Sequence, residues 1–142
     1  MIGRCGSVRP ASLIDWREDR YLESATVERF GHGTAAAPFD ITIYGNNQNT
    51  QSYPEVILRA LVGGTLNYTL ETWSRQYWNY GVLNWLLENE TLWSAFASMS
   101  GTDSQSGSAG TFNAGELIQF RFSRAGGDTS TLDKVRATFW MT

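Results

Sequence analysis

Two segments near the C-terminal end of the chain alternate between apolar and polar residues. Their apolar positions, spaced by two residues within each segment, are Ile118, Phe120 and Phe122, followed by Val135, Ala137, Phe139 and Met141. A period of two is typical of half-buried antiparallel strands, because successive side chains point to opposite faces. We therefore predict two strands joined by a loop rich in Gly, Asp, Ser and Thr. Trp140 falls on the face opposite Phe139, away from the predicted core.

Weaker alternation upstream predicts further short strands. Ile41–Tyr44, Tyr53–Val62 and Thr65–Trp73 fit strands, whereas Gly101–Gly110 is rich in Gly and Ser and is predicted to be a polar loop. Ser74–Phe96 fits either a buried helical turn or buried strands, because its apolar run has no clear period. A series of short strands at a spacing of roughly ten residues is typical of a sandwich or barrel. The expected fold is an all-β, jelly-roll-like antiparallel β-sandwich.

The N-terminal part of the chain lacks this alternation. Residues 1–35 are predicted to form an arm, and residues 36–142 the sandwich domain. Ser12 is suited to cap a short helix that runs to about Ala25. An irregular arm is the alternative. In either form the predicted anchors onto a neighbouring subunit are two aromatic and two basic side chains, namely Trp16, Tyr21, Arg17 and Arg20.

Aromatic residues are dense in the middle of the chain. Tryptophan and tyrosine offer a large contact area at low entropic cost, so they anchor protein interfaces and stack on sugar rings. Trp73, Tyr77 and Trp78 are flanked by polar residues and are predicted to form a surface patch, between subunits or against a glycan. Trp140 also needs a neighbour to cover it. Packing in the core is the alternative for this whole group.

Composition narrows the possible functions. The chain has 142 residues, of which 42% are hydrophobic and 18% charged, so we expect one domain with its own core. A net charge of −3 argues against nucleic acid as a partner. Met1–Val8 is too short and polar for a signal peptide, and no apolar run reaches the length of a membrane span. We therefore expect neither a signal peptide nor a membrane partner.

No catalytic constellation is evident, so we expect no enzyme. His32 is the single histidine and lies in a Gly-His-Gly turn, while Cys5 is the single cysteine. A nucleophile–histidine relay would have to use His32. A carboxylate pair for glycoside hydrolysis has no support from spacing; the candidates are Glu71, Glu88, Glu90 and Glu116. Asp128 and Asp133 are more typical of turns than of a calcium site. We expect no cofactor and no metal.

The C-terminal segment 114–142 resembles the closing hairpin of small jelly-roll modules in tailed-bacteriophage structural proteins. The matching positions are Gly115-Glu116, Phe120, Phe122, Arg124, Gly127-Asp128-Thr129, Leu132-Asp133 and Val135. The resemblance implies a homotrimer in the virion that docks on a capsid or tail protein, as a capsid decoration (cement), head-fibre or tail-fibre component. It implies no catalytic residues. The alternative is a carbohydrate-binding, lectin-like module or tail-fibre knob that stacks a surface glycan on Trp73 and Trp78.

Overall fold

The described part of the chain consists of strands and the turns between them. The computed structural model describes residues 12–23, 25–45, 52–74, 79–87, 89–124 and 133–142, with only the backbone at residues 92 and 93. The strands are β1 (Ile14–Arg20), β2 (Thr26–Phe30), β3 (Phe39–Tyr44), β4 (Glu55–Ala60), β5 (Gly64–Trp73), β6 (Tyr80–Leu86), β7 (Leu92–Ser100), β8 (Asp103–Phe112), β9 (Leu117–Ser123) and β10 (Lys134–Met141). In these residues no helix has the length and hydropathy needed to cross a membrane.

The strands form two five-stranded antiparallel sheets. Sheet I has the order β1-β4-β9-β6-β7, and sheet II has the order β2-β3-β10-β5-β8. Every strand of one sheet pairs antiparallel with its neighbours. The two sheets pack their apolar faces together, which confirms the predicted jelly-roll-like β-sandwich.

The core lies between the inner faces of the sheets. The predicted alternation of β9 and β10 is confirmed, because Phe120, Phe122 and Phe139 are fully buried while the residues between them are not. β5 alternates in the same way, with Leu66 and Leu70 inside. Burying a side chain of this size stabilises the fold by about 1.5–3 kcal/mol. The strands predicted around residues 41–44 and 53–62 are confirmed as β3 and β4.

The short helix predicted from Ser12 to Ala25 is wrong, because this segment contains strand β1. β1 pairs with β4, so its backbone groups form hydrogen bonds to a neighbouring strand instead of within a helix. A bulge between Trp16 and Glu18 shifts the register, so no strict alternation marks β1 in the sequence. Residues 1–35 were expected to form an arm, but within this range β1 belongs to sheet I and β2 to sheet II. Residues 1–11 of that arm lie outside the described residues.

Two further expectations are corrected. The polar loop predicted at Gly101–Gly110 lies largely within β8, because this stretch pairs along β5 and its glycines and serines form an edge strand. β9 and β10 do not form a hairpin, since each lies in a different sheet. The undecided stretch Ser74–Phe96 contains β6 and the first part of β7. β6 is buried on both faces along most of its length, and register shifts in its pairing with β7 interrupt the alternation of β7, so the stretch has no clean period.

Candidate functional site

The register of sheet II places several aromatic side chains on its outer face. Lys134 of β10 lies opposite Tyr44 of β3 on one side and Trp73 of β5 on the other. Positions two residues away along each strand share the same side of the sheet. We call this surface the aromatic face, after the rings on its outward positions, which are Phe30, Tyr44, Trp73 and Trp140.

A shallow cavity of about 300 Å³ opens on the aromatic face. Its lining mixes ring carbons with charged and hydroxyl groups, contributed by Glu28, Phe30, Asp40, Thr42, Tyr44, Trp73, Lys134 and Arg136. Most of these side chains are half-buried, and Phe30 is 66% exposed. The volume lies at the lower end of the range of about 300–1,000 Å³ that small-molecule sites occupy.

Lys134 lies between the two larger rings. Its Nζ is 4.7 Å from the centroid of the Trp73 ring and 5.8 Å from that of Tyr44. A cation at this distance is attracted by the negative face of an aromatic ring. The ammonium group therefore holds both rings in place and presents hydrogen-bond donors at the centre of the cavity.

Arg136 and Asp40 form a charged pair beside this group. Arg136 Nε donates to Asp40 Oδ1 at 2.9 Å, and Nη2 of the same guanidinium donates to Oδ2. The hydrogen bond to Asp40 is the main reason why the pKa of Arg136 is raised. A fork of this kind fixes both side chains in a plane, so the remaining donors of Arg136 have a defined direction.

Tyr44 is held as a neutral phenol. Burial raises the pKa of Tyr44, and the hydrogen bond to Glu28 raises it further. Burial disfavours the phenolate because the charged form loses hydration.

Across the sheet, Ser104, Ser106 and Ser108 are exposed on β8, and Thr69 shares a hydrogen bond of 2.9 Å with Ser106. The face thus runs from charged groups at β3 to hydroxyl groups at β8.

The structure separates the residues singled out in the sequence. Trp73 and Trp140 lie on the aromatic face, whereas Trp16, Arg17 and Arg20 lie on β1 at the edge of sheet I. The guanidinium carbon of Arg29 lies 4.3 Å from the centroid of the Trp16 ring, and both Arg17 and Arg20 form ion pairs with Glu90. Tyr21 follows β1 and is 64% exposed. Tyr77 and Trp78 lie outside the described residues.

Sequence reasoning missed Phe30, Tyr44, Lys134 and Arg136 as members of one surface. Tyr44 carried a signal, since it alternates with Ile41 and Ile43 and must point outward if they point inward. Phe30 carried none, because it precedes a Gly-rich break in a region expected to be an arm. The neighbourhood of β3, β10 and β5 depends on strand order, which alternation does not reveal.

His32 and Asp133, which the sequence raised for catalysis and for metal binding, do not line the cavity of the aromatic face. Among the described residues, no group of three His, Cys, Asp or Glu side chains lies close enough to hold a metal ion. Asp133 is buried and accepts a hydrogen bond from Asn79 at 3.1 Å. His32 Nδ1 lies 3.1 Å from Ser12 Oγ, and neither side chain lines the cavity of the aromatic face. Rings flanked by donors and acceptors are suited to bind a ligand that has both an apolar face and polar edges.

In the described residues these features define a β-sandwich with an open aromatic surface, and comparisons with known proteins show the same fold class. The chain matches no protein-family model, and no curated protein matches it. It is similar to the structure of TmCBM61 in complex with β-1,4-galactotriose, with a TM-score of 0.52 and 10% identity over 93% of this chain and 90% of that one. At this identity the likeness shows the fold alone.

Two more distant structures share parts of the architecture. One is the secreted serine protease VesC from Vibrio cholerae, with a TM-score of 0.43 and 7% identity over 89% of this chain and 43% of that one. The other is a family 35 carbohydrate-binding module from Clostridium thermocellum, with a TM-score of 0.41 and 12% identity over 87% of this chain and 96% of that one. Both TM-scores are too low to carry an argument about function.

Proposed function

We propose that this protein binds carbohydrate on the aromatic face and catalyses no reaction. The observation that carries the proposal is the row of Tyr44, Lys134 and Trp73, in which two half-buried rings flank a cation inside an open cavity. The fold supports it, since TmCBM61 has a similar structure and was determined with β-1,4-galactotriose bound. That trisaccharide is therefore a reasonable first probe.

Binding would rest on stacking and on directed hydrogen bonds. A sugar ring has an apolar face of C–H groups, which would pack on the Trp73 indole. The ammonium group of Lys134 would move away from the Trp73 ring and donate a hydrogen bond to a sugar hydroxyl. Asp40, held by Arg136, would accept a hydrogen bond from the next hydroxyl. Asp40 and Arg136 are already ordered by their mutual hydrogen bonds, which lowers the entropic cost of binding.

A glycan array followed by calorimetry tests the proposal. Wild-type protein should bind at least one neutral oligosaccharide, with β-1,4-galactotriose included as a soluble probe. Trp73→Ala should weaken that binding by at least about fivefold, because loss of a stacking ring costs on the order of 1 kcal/mol or more. Trp16→Ala is the matched control, since Trp16 is an exposed tryptophan that does not line the aromatic cavity. An array without hits, or a Trp73→Ala variant that binds every hit as tightly as the wild type does, would exclude this site.

Self-association in a virion is a second candidate function. The observation that favours it is the exposure of large aromatic residues near the β1–β2 edge, where Trp16 is 42% and Tyr21 64% exposed. A homotrimer that docks on a capsid or tail protein stays a prediction. It is compatible with glycan binding, because these residues do not line the aromatic cavity.

A further inference from the structure

A second cavity, of about 440 Å³, opens on the outer face of sheet I. Its walls include Arg17, Arg59, Leu86, Glu116 and Leu117. Leu117 of β9 lies opposite Arg59 of β4 on one side and opposite Leu86 of β6 on the other. The lining therefore comes from adjacent strands of one sheet, in a fixed register, and we call it the leucine pocket.

The floor of the leucine pocket is apolar although it faces away from the core. Leu86 and Leu117, each 8% exposed, form this narrow floor, and the fully buried Ile57 packs with them in a separate cluster on the outer face. Outer positions of the other sheet are polar or aromatic, so an aliphatic cluster here is a local exception. A floor of this kind can pack against the C–H face of a small ring.

Polar groups of both kinds border this floor. Arg59 is exposed and forms no ion pair within the described residues, so its guanidinium donors remain available. Arg17 is held by its ion pair with Glu90 and is still 44% exposed at its side chain. Both arginines can donate to hydroxyl oxygens at the rim.

Glu116 supplies the acceptor. Its Oε1 accepts a hydrogen bond from Asn113 Nδ2 at 3.1 Å, whereas its Oε2 is buried and has no hydrogen-bond partner in the described part of the chain. A buried carboxylate oxygen without a donor is unfavourable, and a donor supplied by a ligand would relieve that cost.

The charges around the pocket indicate an uncharged ligand. Glu90 neutralises Arg17, and the remaining Arg59 and Glu116 have opposite signs. We infer that the leucine pocket is a second sugar-binding site, which takes one neutral pyranose residue with its C–H face on the leucines. It would act independently of the aromatic face, because the two lie on the outer faces of different sheets.

Nuclear magnetic resonance distinguishes the two sites directly. Nitrogen–proton correlation spectra would be recorded while the protein is titrated with the methyl glycosides of glucose, galactose, mannose and xylose, and in separate arms with methyl glucuronoside and methyl glucosaminide. At least one neutral glycoside should shift the backbone signals of Arg59, Glu116 and Leu117. The same shifts should persist in Trp73→Ala, which removes only the aromatic site.

Two variants test the chemistry of the pocket. Arg59→Met keeps the aliphatic stem and removes the donors, and Glu116→Ala removes the acceptor; each should reduce the pocket shifts at least fivefold. Glu116→Gln keeps an acceptor oxygen and should restore part of them. The inference is overturned if no neutral glycoside moves the pocket signals, if only a charged one does, or if both variants bind as the wild type does. The aromatic face is tested separately, by the effect of Trp73→Ala on oligosaccharide binding.

Discussion

At the scale of single residues, Glu55 shows how sheet I keeps a carboxylate on its outer face. Asn84 donates to Gln119 Oε1 at 2.7 Å, and Gln119 donates to Glu55 Oε2 at 2.5 Å. These three residues come from β6, β9 and β4 and form a chain across the sheet. Burial raises the pKa of Glu55, and the charges of Arg20 and Arg121 only partly oppose this. The ionised form is therefore disfavoured in the folded state relative to the unfolded chain.

Glu55→Gln should change how stability depends on pH. Because the pKa of Glu55 is higher in the folded state than the ordinary value of 4.5, its contribution to stability is present below that value. The contribution is lost as the pH rises through the raised pKa. Urea unfolding between acid and neutral pH should therefore show the wild type losing stability relative to Glu55→Gln.

Glu18→Gln is the contrasting variant for this experiment. The hydrogen bond from Arg20 lowers the pKa of Glu18, so the stability that Glu18 contributes is present above its ordinary pKa and is lost as the pH falls. The two substitutions should thus have opposite pH dependence. Equal pH profiles for both would contradict the assigned burial of Glu55.

Two glycines allow backbone strain to be separated from steric conflict. Gly31 and Gly115 both have positive φ, at 86° and 93°. A Cβ added at Gly31 would lie 1.9 Å from the Pro38 carbonyl oxygen, while one at Gly115 would meet nothing within 4 Å. Gly115→Ala should therefore cost only the strain of the left-handed backbone, about 1–2 kcal/mol.

Gly31→Ala should lower the free energy of unfolding clearly more than Gly115→Ala does, because the β2–β3 connection must move to make room. Equilibrium urea denaturation of both variants measures the difference. If the two alanines cost the same, the close approach between Gly31 and Pro38 does not exist in solution.

The sequence predicted part of the candidate site at this scale. The alternation in β10 and β5 was enough to place Trp140 and Trp73 outside the core. It could not show that Tyr44 and Lys134 lie beside Trp73, because that contact links β3, β10 and β5 across long separations in the chain. The leucine pocket was invisible for the same reason, and its leucines looked like ordinary core residues in the sequence.

At the scale of elements, strands buried on one face were predictable and irregular ones were not. β5, β9 and β10 alternate because their inner faces pack in the core while their outer faces meet solvent. β1 and β8 lie at sheet edges, where few positions are buried and hydrophobic alternation is weak. Their strand conformation is imposed by pairing with β4 and β5 rather than by their own sequences.

This difference should appear in amide hydrogen exchange. β10 is hydrogen-bonded on both sides, to β3 and β5, whereas β8 pairs on one side only within sheet II. We expect the amides of β10 to exchange orders of magnitude more slowly than those of β8, measured by mass spectrometry or NMR. Exchange in β8 as slow as in β10 would mean that a partner covers this edge.

At the scale of the whole molecule, the described part of the sandwich presents two outer faces and an edge, beside β1, that carries exposed aromatic side chains. The edge residues Trp16 and Tyr21 offer apolar surface without lining the aromatic cavity. If they mediate the predicted self-association, light scattering after size-exclusion chromatography should give a multiple of 15.9 kDa at micromolar concentration. The double variant Trp16→Ala/Tyr21→Ala should then be monomeric, with its glycan binding unchanged. A wild-type mass of 15.9 kDa would contradict the trimer.

The place of β10 in sheet II also bears on biosynthesis. It is made after the nine other described strands, yet it lies between β3 and β5 and completes the sheet. While the ribosome still holds this segment, the pairs β2–β3 and β5–β8 each have an unpaired edge beside buried positions such as Ile41 and Leu70. Sheet II can therefore be completed only once β10 has left the ribosome, and until then the unpaired edges of β3 and β5 are open to aggregation and to chaperone binding.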